Sequence, residues 1–388
     1  MKIYNTFTEK KESLILAEKI GIYVCGITPY DTTHLGHAFT FIIYDTLIRY
    51  LKFQGADVTY VQNVTDIDDD ILIRAHAVGT TWKKLGLSET SKHLKIMDAL
   101  NALRPNFYPK ATENIEQMIS IIKKLQTMKL AYESCGNVYF EVIRDKNFGK
   151  LSKFGNRAML EIANERGNFP LDKHKKDPLD FVLWQRQHPD EPSWNSPWGK
   201  GRPGWHIECS TMSMRYLGKT ITIHGGGSDL IFPHHEAEIA QSENYTNRKF
   251  VNIWMHAAMV YHEGKKMSKS LGNMIFISDL IKKYSSNTIR LFLLSHHYRS
   301  PWNFQEEELT IAEKNAKILE SFAALNKNSS IAKLKQNSKK ILPIFFDYLE
   351  DDFDTPQATI ELIRFAKSNH INKSEVVSVC GQILGLKF

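Results

Sequence analysis

The sequence predicts an α/β fold built on a parallel sheet, and three stretches carry that expectation. Ile20 to Ile27 and Val58 to Val64 are apolar runs of strand length, and between them Phe39, Ile42, Ile43, Leu47 and Leu51 recur at helical spacing from Gly36 to Phe53. Strand, amphipathic helix and strand in that order form a parallel βαβ unit. Ligands of such sheets sit beyond the carboxyl ends of the strands, and Cys25 to Asp31 occupies that end of the first.

The elements that follow are read in order. The acidic run Asp66, Asp68, Asp69 and Asp70 reads as a solvated helix start, where carboxylates meet the positive end of the helix dipole, in preference to a cation site. An insertion is expected from about 104 to 199, with a strand at Val138-Tyr139-Phe140 and a polar turn at Lys173-His174-Lys175-Lys176, and the sheet resumes near Thr220. After His297 the pattern turns helical and charged, from Glu306 to Leu325, around Ile341 to Leu349, and from Asp354-Thr355-Pro356 to Lys367. Asn326 to Ser338 reads as a linker. The expected division is a nucleotide-binding catalytic domain over 1–300 and a short helical domain over 301–388.

Composition narrows the class of protein. Four cysteines in 388 residues do not make a disulfide scaffold. Neither a signal-peptide core nor an apolar run of about 20 residues is present in the sequence, so a cytoplasmic protein without a membrane partner is expected, and a monomer. The net charge of +7 is mildly basic, yet residues 301–388 hold 11 Lys and Arg against 12 Asp and Glu. A segment that grips a nucleic-acid backbone should carry an excess of cations.

Two short strings describe an ATP site. His34-Leu35-Gly36-His37 opens the first helix, where free N–H groups and the dipole favour phosphate. Lys266-Met267-Ser268-Lys269-Ser270 follows more than 200 residues later, between Gly264 and Gly272, and reads as a loop able to close over a triphosphate. Histidines and lysines supply the donors and positive charge that a pentavalent transition state at an α-phosphate requires. Either string alone has a duller reading, as a helix start or a solvated loop. In this order the pair resembles the class I aminoacyl-tRNA synthetases, which implies a Rossmann-like sheet with an insertion, ATP with Mg2+ as co-substrate, and His34, His37, Lys266 and Lys269 as catalytic residues.

A second constellation selects the amino acid. Cys25 precedes Gly26-Ile27-Thr28-Pro29-Tyr30-Asp31, Cys209 closes Gly204-Trp205-His206-Ile207-Glu208-Cys209, and His234 lies in Phe232-Pro233-His234-His235-Glu236-Ala237-Glu238. Two thiolates and one imidazole on a tetrahedral Zn2+ leave a position that a substrate thiolate fills well. These surroundings resemble the cysteine-activating branch of class I enzymes over residues 20–305. The resemblance implies L-cysteine as substrate, Thr28, Thr65 and Trp205 around it, and Thr40, Asn63, Gly227, Ser228, Asp229 and Val260 around the adenylate.

Within that branch the acceptor is read from detail. The Ile27-Thr28-Pro29-Tyr30 turn, His37 and the segment Glu165-Arg166-Gly167-Asn168-Phe169-Pro170 resemble the short ligase of mycothiol biosynthesis, which joins cysteine to 1D-myo-inositol 2-amino-2-deoxy-glucopyranoside. The near-neutral tail and the absence of room for an anticodon-reading domain point the same way. A small amino-sugar is therefore the expected acceptor, with a compact cysteinyl-tRNA synthetase as the alternative. Glu238, a further zinc-site carboxylate in the tRNA enzymes, and Ile239 to Glu243 favour that alternative. A non-catalytic zinc-binding relative is the third reading, and the intact HLGH and KMSKS strings argue against it.

Overall fold

The computed structural model describes residues 1–15, 19–31, 33–267, 271–323 and 337–388. Its centre is a four-stranded parallel sheet. Strands β1 (Lys2–Asn5) and β2 (Lys10–Ser13) form an antiparallel hairpin that the sequence reading missed. Strand β3 (Lys19–Ile27), helix α1 (Leu35–Phe53) and strand β4 (Asp57–Val64) form the expected βαβ unit. The face of α1 is apolar nearly all round, with Phe39, Ile42, Ile43, Leu47 and Leu51 fully buried, because the helix packs between the sheet and later helices.

Helices α2 (Asp69–Ala77), α3 (Trp82–Ala99) and α4 (Ile115–Thr127) lead into a separate antiparallel sheet. It is made of β5 (Ala131–Ser134), β6 (Asn137–Phe140), β7 (Phe181–Arg186) and β8 (Gly201–Pro203), with α5 (Asn156–Asn164) in its long connection. Helix α6 (Trp205–Leu217) returns the chain to the central sheet, which is completed by β9 (Ile221–Gly227), α7 (Glu236–Thr246) and β10 (Val251–Ala257). The strand order is β10-β9-β3-β4, and every pairing is parallel.

Strands β11 (Val260–His262) and β12 (Lys265–Lys266) lead to the second ATP string. Helices α8 (Ile277–Lys283) and α9 (Ser286–Leu294), strand β13 (Trp302–Asn303) and helix α10 (Glu306–Phe322) follow. Three further helices span Pro343–Glu350, Thr355–Ala366 and Lys373–Ile383. Asp354 caps the second, its carboxylate accepting from the Gln357 N–H at 3.1 Å. These helices are not a loose appendage. Arg290 of α9 is fully buried, donating to Asp45 of α1 at 2.5 Å and to the carbonyls of Leu100 and Leu384 at 3.0 and 2.8 Å, so one guanidinium ties the nucleotide helix to the end of the chain.

Two local expectations change. Of the anticipated linker, 326–336 lies outside the described residues, whereas Ser338 is buried within a helical turn at 337–341. The acidic run does start a helix, Asp68 capping α2 by accepting from the Asp70 N–H at 3.0 Å, but it is less solvated than expected. Asp66 accepts from Thr112 N–H at 2.9 Å and Oγ1 at 2.6 Å, Arg202 pairs with Asp69, and burial pushes the Asp68 carboxyl up to about 6. Among the described residues, no helix is long and apolar enough to cross a membrane.

Candidate active site

The four anticipated metal ligands converge. Cys25 in β3, Cys209 in α6, His234 in the turn before α7 and Glu238 in α7 are all buried, and their donor atoms lie within 4.8 Å of one another. The backbone explains why Cys25 reaches the others. The β3–β4 register slips between Val24 and Ile27, and such a bulge re-aims its side chains. It also frees the Gly26 N–H, which the Asn63 side-chain oxygen accepts at 2.8 Å. At Gly226 of β9 a Cβ would lie 2.8 Å from Leu230 Cδ1, so glycine leaves room for that side chain, and 3.5 Å from Cys25 Cβ, an ordinary contact.

The spacing fits zinc. Cys25 Sγ lies 3.8 Å from Cys209 Sγ and 3.6 Å from Glu238 Oε1, and His234 Nε2 lies 3.2 Å from the same oxygen. A tetrahedron with bonds of about 2.3 Å to sulfur and about 2.0 Å to nitrogen and oxygen has corresponding edges of about 3.8, 3.5 and 3.3 Å. A second set shares two of its members, with His224 Nε2 and His235 Nε2 at 3.7 and 3.3 Å from Cys25 Sγ. The orphaned atom favours the first set. His234 Nε2 is buried, makes no hydrogen bond and faces Glu238 Oε1 at 3.2 Å; the other ring nitrogen is held both in His234, by His206 Nδ1 at 2.9 Å, and in His235 of the second set, by His256, so the orphaned Nε2 is what separates the two.

Charge makes the same point. Burial, with Cys209 and Glu238 beside it, pushes the Cys25 thiol well up; burial likewise pushes the Glu238 carboxyl well up and the His234 imidazole well down. All three are thereby held neutral, and a divalent cation is the species that would ionise the acids and leave the imidazole neutral.

Around the ligands stand four histidines that the sequence reading left without roles. His235 Nδ1 meets His256 Nε2 at 2.8 Å, and His256 Nδ1 meets Thr6 Oγ1 at 2.8 Å. His206, His224 and His256 are each pushed down to about 3, in each case chiefly by burial. The strings around Cys209 and His234 contain His206 and His235, so their signal was in hand. Nothing in the pattern of β10 marks His256.

Beside the cluster opens a cavity of about 1120 Å³, whose lining includes Thr28, Asp68, Trp205, His206, Asp229 and Lys266. Trp205 stacks on His234 with ring centroids 4.3 Å apart, so one indole faces both cavity and ligand. Thr65 and Asn63 are buried outside that lining, Asn63 Nδ2 donating to Thr65 Oγ1 at 3.2 Å. With its oxygen on Gly26, the Asn63 amide is committed to joining β3 and β4. Val260 is likewise a buried core side chain of β11. Gly227 ends β9, and Ser228 and Asp229 form the tight turn after it.

His34 lies outside that lining and caps α1, its Nδ1 accepting from the Gly36 and His37 N–H groups at 3.1 and 3.3 Å. The His34 and His37 rings stack at 3.7 Å. A Cβ on Gly36 would crowd the His34 ring at 3.1 Å and lie 4.0 Å from Met267 Cε, so the two ATP strings lie near one another. Thr40 Oγ1 donates to the Gly36 carbonyl at 3.2 Å. Lys266 is exposed at the cavity wall, and Lys269 lies outside the described residues.

Comparison with known proteins gives a consistent set. Residues 11–314 match the family model described as tRNA synthetases class I (C) catalytic domain. A cysteine–tRNA ligase of Thermodesulfovibrio yellowstonii is 45% identical over 384 residues, 95% of this chain and 78% of that protein. One from Pasteurella multocida is 44% identical over 378 residues, covering 97% and 81%. Among solved structures, Mycobacterium tuberculosis methionyl-tRNA synthetase with methionyl-adenylate superposes with a TM-score of 0.66 at 12% identity, over 95% of this chain and 90% of that one, a likeness of fold.

Proposed function

Because the chain belongs to the class I (C) tRNA synthetase family, we propose that it is a cysteine–tRNA ligase, which activates L-cysteine with ATP and esterifies it to a terminal ribose hydroxyl of tRNA. It is an ATP-dependent ligase that releases AMP and diphosphate. The observation that carries the substrate assignment is the buried Cys25, Cys209, His234 and Glu238 set, its donors within 4.8 Å of one another and three of its edges close to those of a tetrahedral zinc site.

Those four residues would hold zinc. When bound, the metal would supply a soft Lewis acid that favours a substrate thiolate over a hydroxyl, the thiolate entering as a further ligand beside these four or in place of the Glu238 carboxylate. Thr28 and Trp205 flank the amino acid, with Thr65 supporting from behind. The cysteine carboxylate attacks the α-phosphorus and diphosphate leaves. His34 and His37 offer donors to the phosphates at the N-terminus of α1, and Lys266 with Lys269 neutralises the departing diphosphate. Asp229 suits a ribose hydroxyl, Gly227 and Ser228 set the turn that presents it, and Thr40, Asn63 and Val260 support the surrounding helix and strands from behind. In the second step a ribose hydroxyl attacks the activated carbonyl and AMP leaves.

The small amino-sugar expected from the sequence gives way here, since the relatives described above are cysteine–tRNA ligases over nearly the whole chain. Glu238 within the donor set agrees with them. Cysteine-dependent exchange of labelled diphosphate into ATP tests the first step. The expected result is robust exchange with cysteine and, with serine, a rate at least about 10⁴-fold lower in kcat/KM, beyond what a pocket rejecting by shape achieves. Equal exchange with both amino acids would remove the proposed basis of selection.

A further inference from the structure

Helix α3 packs a histidine against the start of α1. His93 is buried, and its Nδ1 lies 2.8 Å from Thr33 Oγ1, also buried. Thr33 is the residue immediately before His34. Its carbonyl accepts from the Ile277 N–H at 3.1 Å, while the Leu35 N–H donates to the Ile275 carbonyl at 2.8 Å and His34 bridges Phe276. Segment 275–277 is the downstream end of the loop that carries the second ATP string. Thr33 is thus the junction at which the two strings are stitched together, and its side chain is held from outside by His93.

A second line of contact runs in parallel. The His93 ring meets Phe41 edge-on at 5.3 Å, Phe41 lies along His37 at 6.3 Å, and His37 stacks on His34 at 3.7 Å. Burial, followed by the neighbouring His37 and Arg104, pushes the His93 imidazole down to about 3, so it serves as a neutral hydrogen-bonding wedge throughout the working pH range.

We propose that His93, acting through Thr33, is a positioning residue that fixes the His34–His37 pair and the anchor of the second ATP string for nucleotide binding. It touches neither phosphate nor cysteine. The proposal rests on the ATP-dependent reading of the site. Displacing a preorganised donor by a fraction of an ångström costs rate and affinity although every donor is still present.

The test compares Thr33→Val, His93→Leu, their combination, and His93→Asn, whose amide can place a hydrogen-bonding atom near the Nδ1 position. Binding of α,β-methylene ATP by calorimetry, cysteine-dependent diphosphate exchange and thermal stability are measured on each. Thr33→Val and His93→Leu should each weaken the analogue about 10-fold and lower exchange kcat about 10-fold, the loss of roughly one hydrogen bond's worth of positioning. KM for cysteine should hold, the double variant should be no worse than the singles, and His93→Asn should stay within about twofold of the parent. Unchanged analogue affinity in folded Thr33→Val and His93→Leu proteins, with only the melting temperature lowered, would overturn the proposal. If the parent binds the analogue but cysteine stimulates no exchange, the assignment of function fails, and the binding series still decides the role of His93.

Discussion

Cys209→Ser is expected to lose bound zinc and, with it, the preference for cysteine over serine, which should fall from about 10⁴-fold or more to about 10²-fold or less. Cys209 Sγ forms the 3.8 Å edge of the donor set with Cys25, and a hydroxyl is a poor replacement for a thiolate on a soft ion. The substitution removes one ligand from a buried donor set. Glu238→Ala is the informative companion, because Glu238 Oε1 sits at both the 3.6 and 3.2 Å edges. Zinc content by atomic absorption, read alongside kcat/KM for the two amino acids, checks both. A stoichiometric, fully selective Cys209→Ser enzyme would refute the metal assignment.

His37→Ala should lower the rate of adenylate formation by about 10²- to 10³-fold, the usual consequence of removing a transition-state donor. KM for cysteine should change little, because His37 belongs neither to the proposed zinc set nor to the cavity wall around Trp205. His37 is the cleaner target of the two histidines. His34 also caps α1 through Nδ1, so its removal would cost about 1 kcal/mol of helix stability and mix two effects. Pre-steady-state formation of AMP-linked cysteine separates chemistry from release. A His37→Ala protein with parental burst rate would show that the ring only packs on His34 and Phe41.

Much of this site was legible in the sequence because its members sit in short strings with local meaning. The βαβ unit declared itself through the period of its apolar residues, and its borders differ from the structure by a residue or so. Cys25, Cys209 and His234 were recognisable from their neighbours, and the structure brings them together across three elements. What was not legible is long-range. The β1–β2 hairpin is short and partly polar, and it exists because Tyr4 N–H and Thr6 N–H find Asp352 Oδ1 and the Trp254 carbonyl far along the chain. His256 and His93 carry no pattern of their own, and each acquires a role only when a neighbour from another element arrives. Asn63 was expected at the nucleoside, but a strand bulge claims its amide.

The amino-sugar acceptor expected from the sequence finds no support among the relatives, which are cysteine–tRNA ligases, and the reason is physical. Tail charge and length report on how a nucleic acid could be gripped, and they say nothing about which nucleophile can enter the cavity. The residues nearer the chemistry, Glu238 and Ile239 to Glu243, pointed to tRNA from the start. Charging of cysteine tRNA therefore tests the account most directly. Purified protein is incubated with ATP, labelled cysteine and either a cysteine tRNA transcript or the amino-sugar 1D-myo-inositol 2-amino-2-deoxy-glucopyranoside. The expected result is rapid labelling of the tRNA through a bond cleaved by mild alkali, as an ester is, and no amide from the amino-sugar. An alkali-stable cysteinyl amide of the amino-sugar, formed while the tRNA remains unlabelled, would contradict it.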